Sequence, residues 1–95
     1  MKNAYIGTIK ATYSYDVVVC GGGCAGVLAA VASARSGVKT ILIERNHMVG
    51  GMATAGMVNP FMTCYDGRGQ RQIVKGLFDE LVTRCEEKQA AIHPS

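Results

Sequence analysis

Three glycines and one acid in this chain form a pattern that indicates a ligand-binding site. Gly21, Gly23 and Gly26 form the pattern G-x-G-x-x-G, and Glu44 follows at about the distance, roughly 20 residues, at which an acid binds a ribose. These glycines permit a tight turn, a close approach of phosphate to the backbone and close packing of a helix. Glu44 would accept hydrogen bonds from ribose hydroxyls, and its charge disfavours a 2′-phosphate. The pattern predicts a dinucleotide site, with NADP as the weakest of the candidate ligands.

The residues around the motif predict the elements that would position it. Residues 15–20 contain three consecutive valines and predict a strand buried on both faces, as in a parallel sheet. An alanine-rich helix is predicted from residue 23 or 24 to residue 36, and Gly37 should take the positive φ that ends a helix. Its bulkier apolar residues fall along one side: Val27, Leu28, Val31 and Ala32. Residues 38–44 predict a second strand, which one helix connects to the first in parallel.

The rest of the chain predicts a loop and one further helix. Residues 46–69 carry turn signals, including Gly50-Gly51 and Asn59-Pro60. From residue 71 to residue 88, apolar residues recur at helical spacing and predict an amphipathic helix. Residues 1–14 show no clear periodicity and are predicted as a leader, either a short strand or an extended segment. The predicted fold class is α/β: a Rossmann-like βαβ unit, which is an incomplete doubly wound parallel sheet, followed by a loop and an amphipathic helix.

Composition and charge exclude several classes of function. The net charge of +3 is small and the basic residues form no stripe, so no nucleic-acid partner is predicted. The most apolar part, residues 22–34, is short and dominated by small residues, so no membrane span is predicted. Neither a carboxylate pair, nor a metal-ligand cluster, nor a nucleophile with its base can be assembled from the sequence. Catalytic residues therefore stay unassigned, and no metal is predicted.

The four cysteines bear on the compartment of the protein. Their spacing matches no zinc pattern, and residues 1–16 lack the continuous apolar core of a secretory signal. We therefore predict free thiols and a cytoplasmic protein. Cys20 is expected in a buried strand, and Cys85 on the apolar face of a helix. Cys24 would open the first helix, where a small packing residue and a reactive thiolate are both open interpretations.

The motifs together resemble a known family. The segments GGGCAG, ILIE and RNHMVGGMATAG, with Ala30 and Gly37, resemble the N-terminal part of FAD-dependent oxidoreductases of the glutathione-reductase-like superfamily, closest to the fumarate-reductase-like flavoproteins. In that family a Gly-Gly pair and a small-residue loop follow the acid and pass along the pyrophosphate, which implies FAD rather than NAD here. The resemblance implies these cofactor-binding residues: Gly21, Gly22, Gly23, Cys24, Ala25, Gly26, Glu44, Arg45, Gly50, Gly51 and Thr54.

The resemblance also implies that much of such an enzyme lies elsewhere. Members of the family are several times longer, add further strands to the sheet and carry a separate substrate domain. Residues 15–95 would be the N-terminal part of an FAD/NAD(P)-binding Rossmann domain, associated with the remainder of the enzyme or a partner chain.

The predicted function is the portion of an FAD-dependent oxidoreductase that binds the ADP moiety of FAD, acting with an unknown small-molecule substrate. An NAD-binding dehydrogenase piece and a non-catalytic nucleotide-binding fragment stay open as alternatives. Arg45 is either a contact to adenine or phosphate or an exposed charge. His47 is predicted to be a surface imidazole rather than a catalytic one, and His93 is expected to be inert.

Overall fold

The fold consists of a βαβ unit, a loop and a second helix. A computed structural model of the chain describes residues 7–8, 11–58, 60–61 and 64–93. The described elements are strand β1 (Val17–Cys20), helix α1 (Cys24–Arg35), strand β2 (Thr40–Ile43), a short 3-10 helix (Gly51–Ala53) and helix α2 (Leu77–Glu87). Most of the predicted leader, namely residues 1–6, 9 and 10, lies outside the described residues.

The two strands pair in parallel, and α1 connects them. Val17 lies opposite Thr40, and Cys20 lies opposite Ile43. Gly37 ends the helical segment with φ +88°, as predicted. The predicted α/β class and βαβ unit are therefore confirmed, although β2 begins two residues later than the sequence indicated.

Small residues of α1 face the sheet, and its bulkier residues face α2. Gly26 lies against the end of β1, and Ser33 shares a hydroxyl hydrogen bond of 2.9 Å with Thr40. A narrow cleft between α1 and α2 is lined by the apolar residues Val27, Leu28, Val31, Leu77 and Leu81. Close helix-to-strand contact is therefore achieved with residues that have little or no side chain.

The sheet has one open face, which the sequence did not predict. Val18 and Ile43 are each 52% exposed, and Cys20 is exposed as well. Alternate residues of a strand point to opposite faces, and in the described part of the chain α1 packs on the face that carries Val17 and Val19. The predictions that β1 is buried on both faces and that Cys20 is buried are therefore wrong.

Helix α2 is shorter than the apolar periodicity predicted. It begins at Leu77 rather than at residue 71, because Gln72 instead forms an antiparallel bridge with Tyr65. Gly76 precedes the helix with φ +81°, and its N–H donates to Asp79 at 3.3 Å. A glycine with positive φ followed after three residues by an acid makes a helix start, and this local signal outweighs the periodicity before it.

The described residues bury a small core beneath α2. Cys64, Phe78 and Val82 are its buried members, with Tyr65 packed against them. Phe61 meets Phe78 edge to face, with ring centroids 5.6 Å apart. Across the described ranges, no helix combines the length and apolar character needed to cross a membrane.

An ion pair joins the last turn of α1 to the first turn of α2. The Arg35 guanidinium donates two hydrogen bonds to the Glu80 carboxylate, at 2.6 and 2.8 Å. Arg84 donates a third at 3.0 Å from the following turn of α2. Arg35 and Arg84 lower the pKa of Glu80 to about 2.

We expect this ion pair to make stability dependent on pH. Because the folded-state pKa of Glu80 lies below its ordinary value of 4.5, its contribution is complete above that value and is lost as the pH falls toward 2. Glu80→Gln should therefore lower the urea midpoint at neutral pH and have a smaller effect at about pH 3. Glu87→Gln, a change at the exposed end of α2, is the matched control. Equal midpoints for wild type and Glu80→Gln at neutral pH would contradict the assignment.

Candidate functional site

The glycine turn between β1 and α1 has three distinct geometries at its three motif positions. Gly21 takes φ +105°, and its N–H donates to the carbonyl of Ile43 at 2.8 Å. A side chain at Gly26 would collide with the Gly21 carbonyl, whereas a Cβ at Gly23 would meet no chain atom within 4 Å. The first position thus has a backbone conformation that favours glycine, the third is tightly packed and the second is open. Open backbone before a helix N-terminus is the geometry that admits a phosphate group.

Glu44 lies at the same turn, directly after β2. One carboxylate oxygen accepts the N–H of Gly22 at 2.7 Å, and the other accepts the N–H of Asn46 at 3.1 Å. The N–H groups of Asn46 and Gly22 lower the pKa of Glu44 below its usual range. The carboxylate is therefore ionised at neutral pH and fixed in position. Because a carboxylate has about four lone-pair sites, it can still accept hydroxyl hydrogen bonds.

The second glycine pair lies against the first. The N–H of Gly50 donates to the carbonyl of Gly22 at 2.7 Å. Gly50 has φ +107° and Gly51 has φ +54°, and a Cβ on Gly51 would stand 2.9 Å from the Cα of Gly23. A side chain at Gly51 would force the two turns apart, and a side chain at Gly50 would collide with Thr54. The glycine turn and the loop after β2 therefore form one continuous backbone surface at the start of α1.

Two side chains fasten this loop. The Thr54 hydroxyl donates to the carbonyl of Val49 at 2.6 Å, and the Cys24 thiol donates to the carbonyl of Gly50 at 3.2 Å. Thr54 also fills the space beside the Cα of Gly50. Thr54 holds the loop from within, and Cys24 holds it from the start of α1.

Two further predicted site residues, Ala25 and Arg45, lie at the margin of this surface, and the two histidines lie outside it. Ala25 is exposed in the first turn of α1, and Arg45 is exposed directly after Glu44. His47 is exposed in the same loop. His93 contacts Asp79 at 3.5 Å, and its backbone N–H donates to Glu86 at 2.8 Å.

Two residues of the site were missed by sequence reasoning. Asn46 fixes Glu44 through its backbone N–H, and Val49 packs beside Gly22 and accepts the Thr54 hydroxyl. Neither residue type signals a nucleotide site. Only their position in the sequence could have indicated them, because both lie between Glu44 and the Gly50-Gly51 pair.

A large apolar cleft of about 810 Å³ adjoins the site. Cys24, Gly50 and Thr54 form part of its wall on the side of the glycine turn, and Phe78 and Val82 of α2 form another part. In the described ranges, no three His, Cys, Asp or Glu side chains come together as metal ligands. The arrangement can thus hold an anion and a hydroxylated sugar at backbone N–H groups and a carboxylate, beside an apolar surface.

Comparison with known proteins places these residues in context. A family model described as FAD dependent oxidoreductase matches residues 16–95. The chain is 46% identical over 46 residues to a pseudooxynicotine dehydrogenase from Pseudomonas sp, a match that covers 48% of this chain. The matched part spans 9% of the length of that relative. No solved structure matches the chain significantly.

Proposed function

Because this chain belongs to the FAD dependent oxidoreductase family, we propose that its glycine turn and the loop after β2 bind the ADP half of FAD. FAD is the cofactor of the family, and it carries out the redox chemistry when bound. The proposal rests on one observation, which is that three features lie together at the start of α1. The carboxylate of Glu44, the open backbone at Gly23 and the Gly50-Gly51 pair all adjoin the start of α1.

Each part of the ADP moiety would meet a matching group in the chain. The N-terminal N–H groups of α1 have no partner within the helix and would donate to the pyrophosphate. Gly23 leaves room for the phosphate oxygens, and Gly50 and Gly51 would flank them. Glu44 would accept hydrogen bonds from the adenosine ribose, and Arg45 would lie near the adenine or a phosphate. Thr54 would contribute by holding the loop that carries Gly50 and Gly51, and Cys24 and Ala25 would lie beside the pyrophosphate in the first turn of α1.

The rest of the enzyme is proposed to come from further polypeptide. Residues 15–95 would be the N-terminal part of an FAD/NAD(P)-binding Rossmann domain, with residues 1–14 as a leader. Parallel sheets are ordinarily covered on both faces, and here Val18 and Ile43 stay half exposed. Either the remainder of the enzyme or a partner chain would cover this face and enclose the flavin ring.

The substrate class and the location of the protein are part of the same proposal. The substrate would be a small molecule, in keeping with a relative named for acting on pseudooxynicotine. A cytoplasmic location is supported by the four free cysteines, since disulfides are rare in that compartment.

Retention of FAD by the purified chain tests the proposal. After incubation with FAD and removal of unbound ligand, flavin absorption bands should stay with the protein. ADP should compete for the site, whereas FMN, which has no adenosine, should neither be retained nor compete. NADH should compete less well than FAD, and NADP should be the weakest competitor because Glu44 opposes its 2′-phosphate. Failure to retain FAD together with failure to bind ADP would refute the proposed site.

A further inference from the structure

The Cys24 thiol lies where the two glycine turns meet. Cys24 is the first residue of α1 and is exposed. Its sulfur stands 3.2 Å from the carbonyl oxygen of Gly50, within hydrogen-bond distance for sulfur. These two residues are 26 positions apart in the chain, so the contact joins separate segments.

Both backbone polar groups of Gly50 form hydrogen bonds. Its N–H donates to the carbonyl of Gly22 at 2.7 Å, and its carbonyl accepts the Cys24 thiol. The backbone of Gly50 has φ +107°. A glycine without such hydrogen bonds can adopt many other backbone conformations. Two anchors, one on each polar group, restrict those alternatives. Removing either anchor should widen the range of positions that the Gly50-Gly51 turn samples.

We propose that Cys24 is a positioning residue for FAD, acting through the carbonyl of Gly50 to hold the Gly50-Gly51 turn beside the pyrophosphate site. The inference rests on the proposed function, since that turn is assigned there to the pyrophosphate. A site that is ordered before binding loses less conformational freedom on binding, and affinity rises accordingly. A thiol is a weak donor, and water can replace it at a partly exposed carbonyl, so the effect should be modest.

Positioning through the Gly50 carbonyl requires a hydrogen-bond donor at position 24, whereas a role in packing would require only a side chain of similar size. Serine keeps a donor at nearly the same place, whereas alanine removes it. Cys20 offers a matched control, because it is an exposed thiol at the other end of the same glycine turn.

Hydrogen exchange of the ligand-free chain measures how firmly the Cys24 thiol holds the Gly50-Gly51 turn. The amide of Gly50 should exchange about threefold to tenfold faster in Cys24→Ala than in wild type, which corresponds to the loss of a weak hydrogen bond. Cys24→Ser should restore slow exchange, and Cys20→Ala should leave it unchanged. An unchanged Gly50 amide in Cys24→Ala would overturn the inference, whatever the chain binds.

Ligand affinity supplies the second measurement. FAD and ADP should bind about threefold to tenfold more weakly to Cys24→Ala, with recovery in Cys24→Ser, while adenosine, which lacks the pyrophosphate, should bind all variants alike. If wild type binds FAD and Cys24→Ala binds it equally well, the positioning role fails and the proposed function stands. If wild type binds neither FAD nor ADP, the proposed function fails and takes the role toward FAD with it.

Discussion

Replacing Gly26 by alanine is expected to destabilise the βαβ unit and abolish FAD retention, although alanine ordinarily favours a helix. The new methyl group would collide with the carbonyl oxygen of Gly21. That carbonyl has little freedom to move, because the N–H of the same residue is bonded to Ile43 and its φ is +105°. Overpacking of this kind costs about 1–3 kcal/mol, and a collision with a backbone atom that cannot move should cost more than the gain of about 1 kcal/mol from the helix propensity of alanine.

Gly23→Ala separates the effect on FAD binding from the effect on folding, which Gly26→Ala combines. A methyl group at Gly23 meets no chain atom within 4 Å, and φ there is −71°, which alanine adopts readily. This variant should therefore fold like wild type while placing its methyl group where the pyrophosphate would approach. Urea unfolding and FAD titration measure the two effects separately. Normal FAD binding by Gly23→Ala would show that the phosphates lie elsewhere, and unaltered stability of Gly26→Ala would contradict the packing argument.

Glu44→Gln is expected to weaken FAD binding by about tenfold to a hundredfold. The wild-type carboxylate is ionised at neutral pH because the Asn46 and Gly22 N–H groups lower its pKa, so its bonds to ribose hydroxyls are charge-assisted. Glutamine keeps the size of the side chain but removes its charge, and its single oxygen can accept only one of the two N–H groups that the carboxylate binds. The loss should stay constant between about pH 6 and about pH 8, since the wild-type group does not titrate in that range.

The charge of Glu44 should also affect how strongly the site discriminates against a 2′-phosphate. Wild type should prefer ADP over ADP with a 2′-phosphate, and Glu44→Gln should narrow that preference by removing the repulsion. Glu87→Gln, a change of the same type at the exposed end of α2, should alter neither quantity. If Glu44→Gln bound FAD as tightly as wild type, the ribose assignment would be wrong.

The order of the βαβ unit was predictable because each signal is local. Consecutive valines, a glycine-rich turn, an alanine-rich segment and Gly37 each act on their immediate neighbours, and the structure places the elements accordingly. The start of α2 was missed because apolar residues at positions 73 and 74 continue the helical spacing backward. Gly76 and Asp79 carried the better signal, since a cap decides where a helix begins.

The internal contacts of the candidate site were not predictable in the same way. The sequence indicated Glu44 as a ligand for ribose, but the bond from Gly22 to its carboxylate joins residues 22 positions apart. The thiol contact of Cys24 with Gly50 spans a similar distance. Such contacts depend on how the loop after β2 returns to the glycine turn, and no periodicity or local propensity encodes that path. The same reason explains the open face at Val18, because coverage of a sheet depends on elements distant in the chain.

The ion pair between Arg35 and Glu80 has a consequence for the order in which the chain assembles. Its two residues are 45 positions apart, about twice the separation of the paired strands. As the chain leaves the ribosome, β1, α1 and β2 can associate before α2 has been synthesised. Closing the longer loop costs more chain entropy, so the ion pair should form after the folding transition state. Contacts made that late act mainly on the lifetime of the folded chain, because they slow its unfolding and leave its folding rate nearly unchanged.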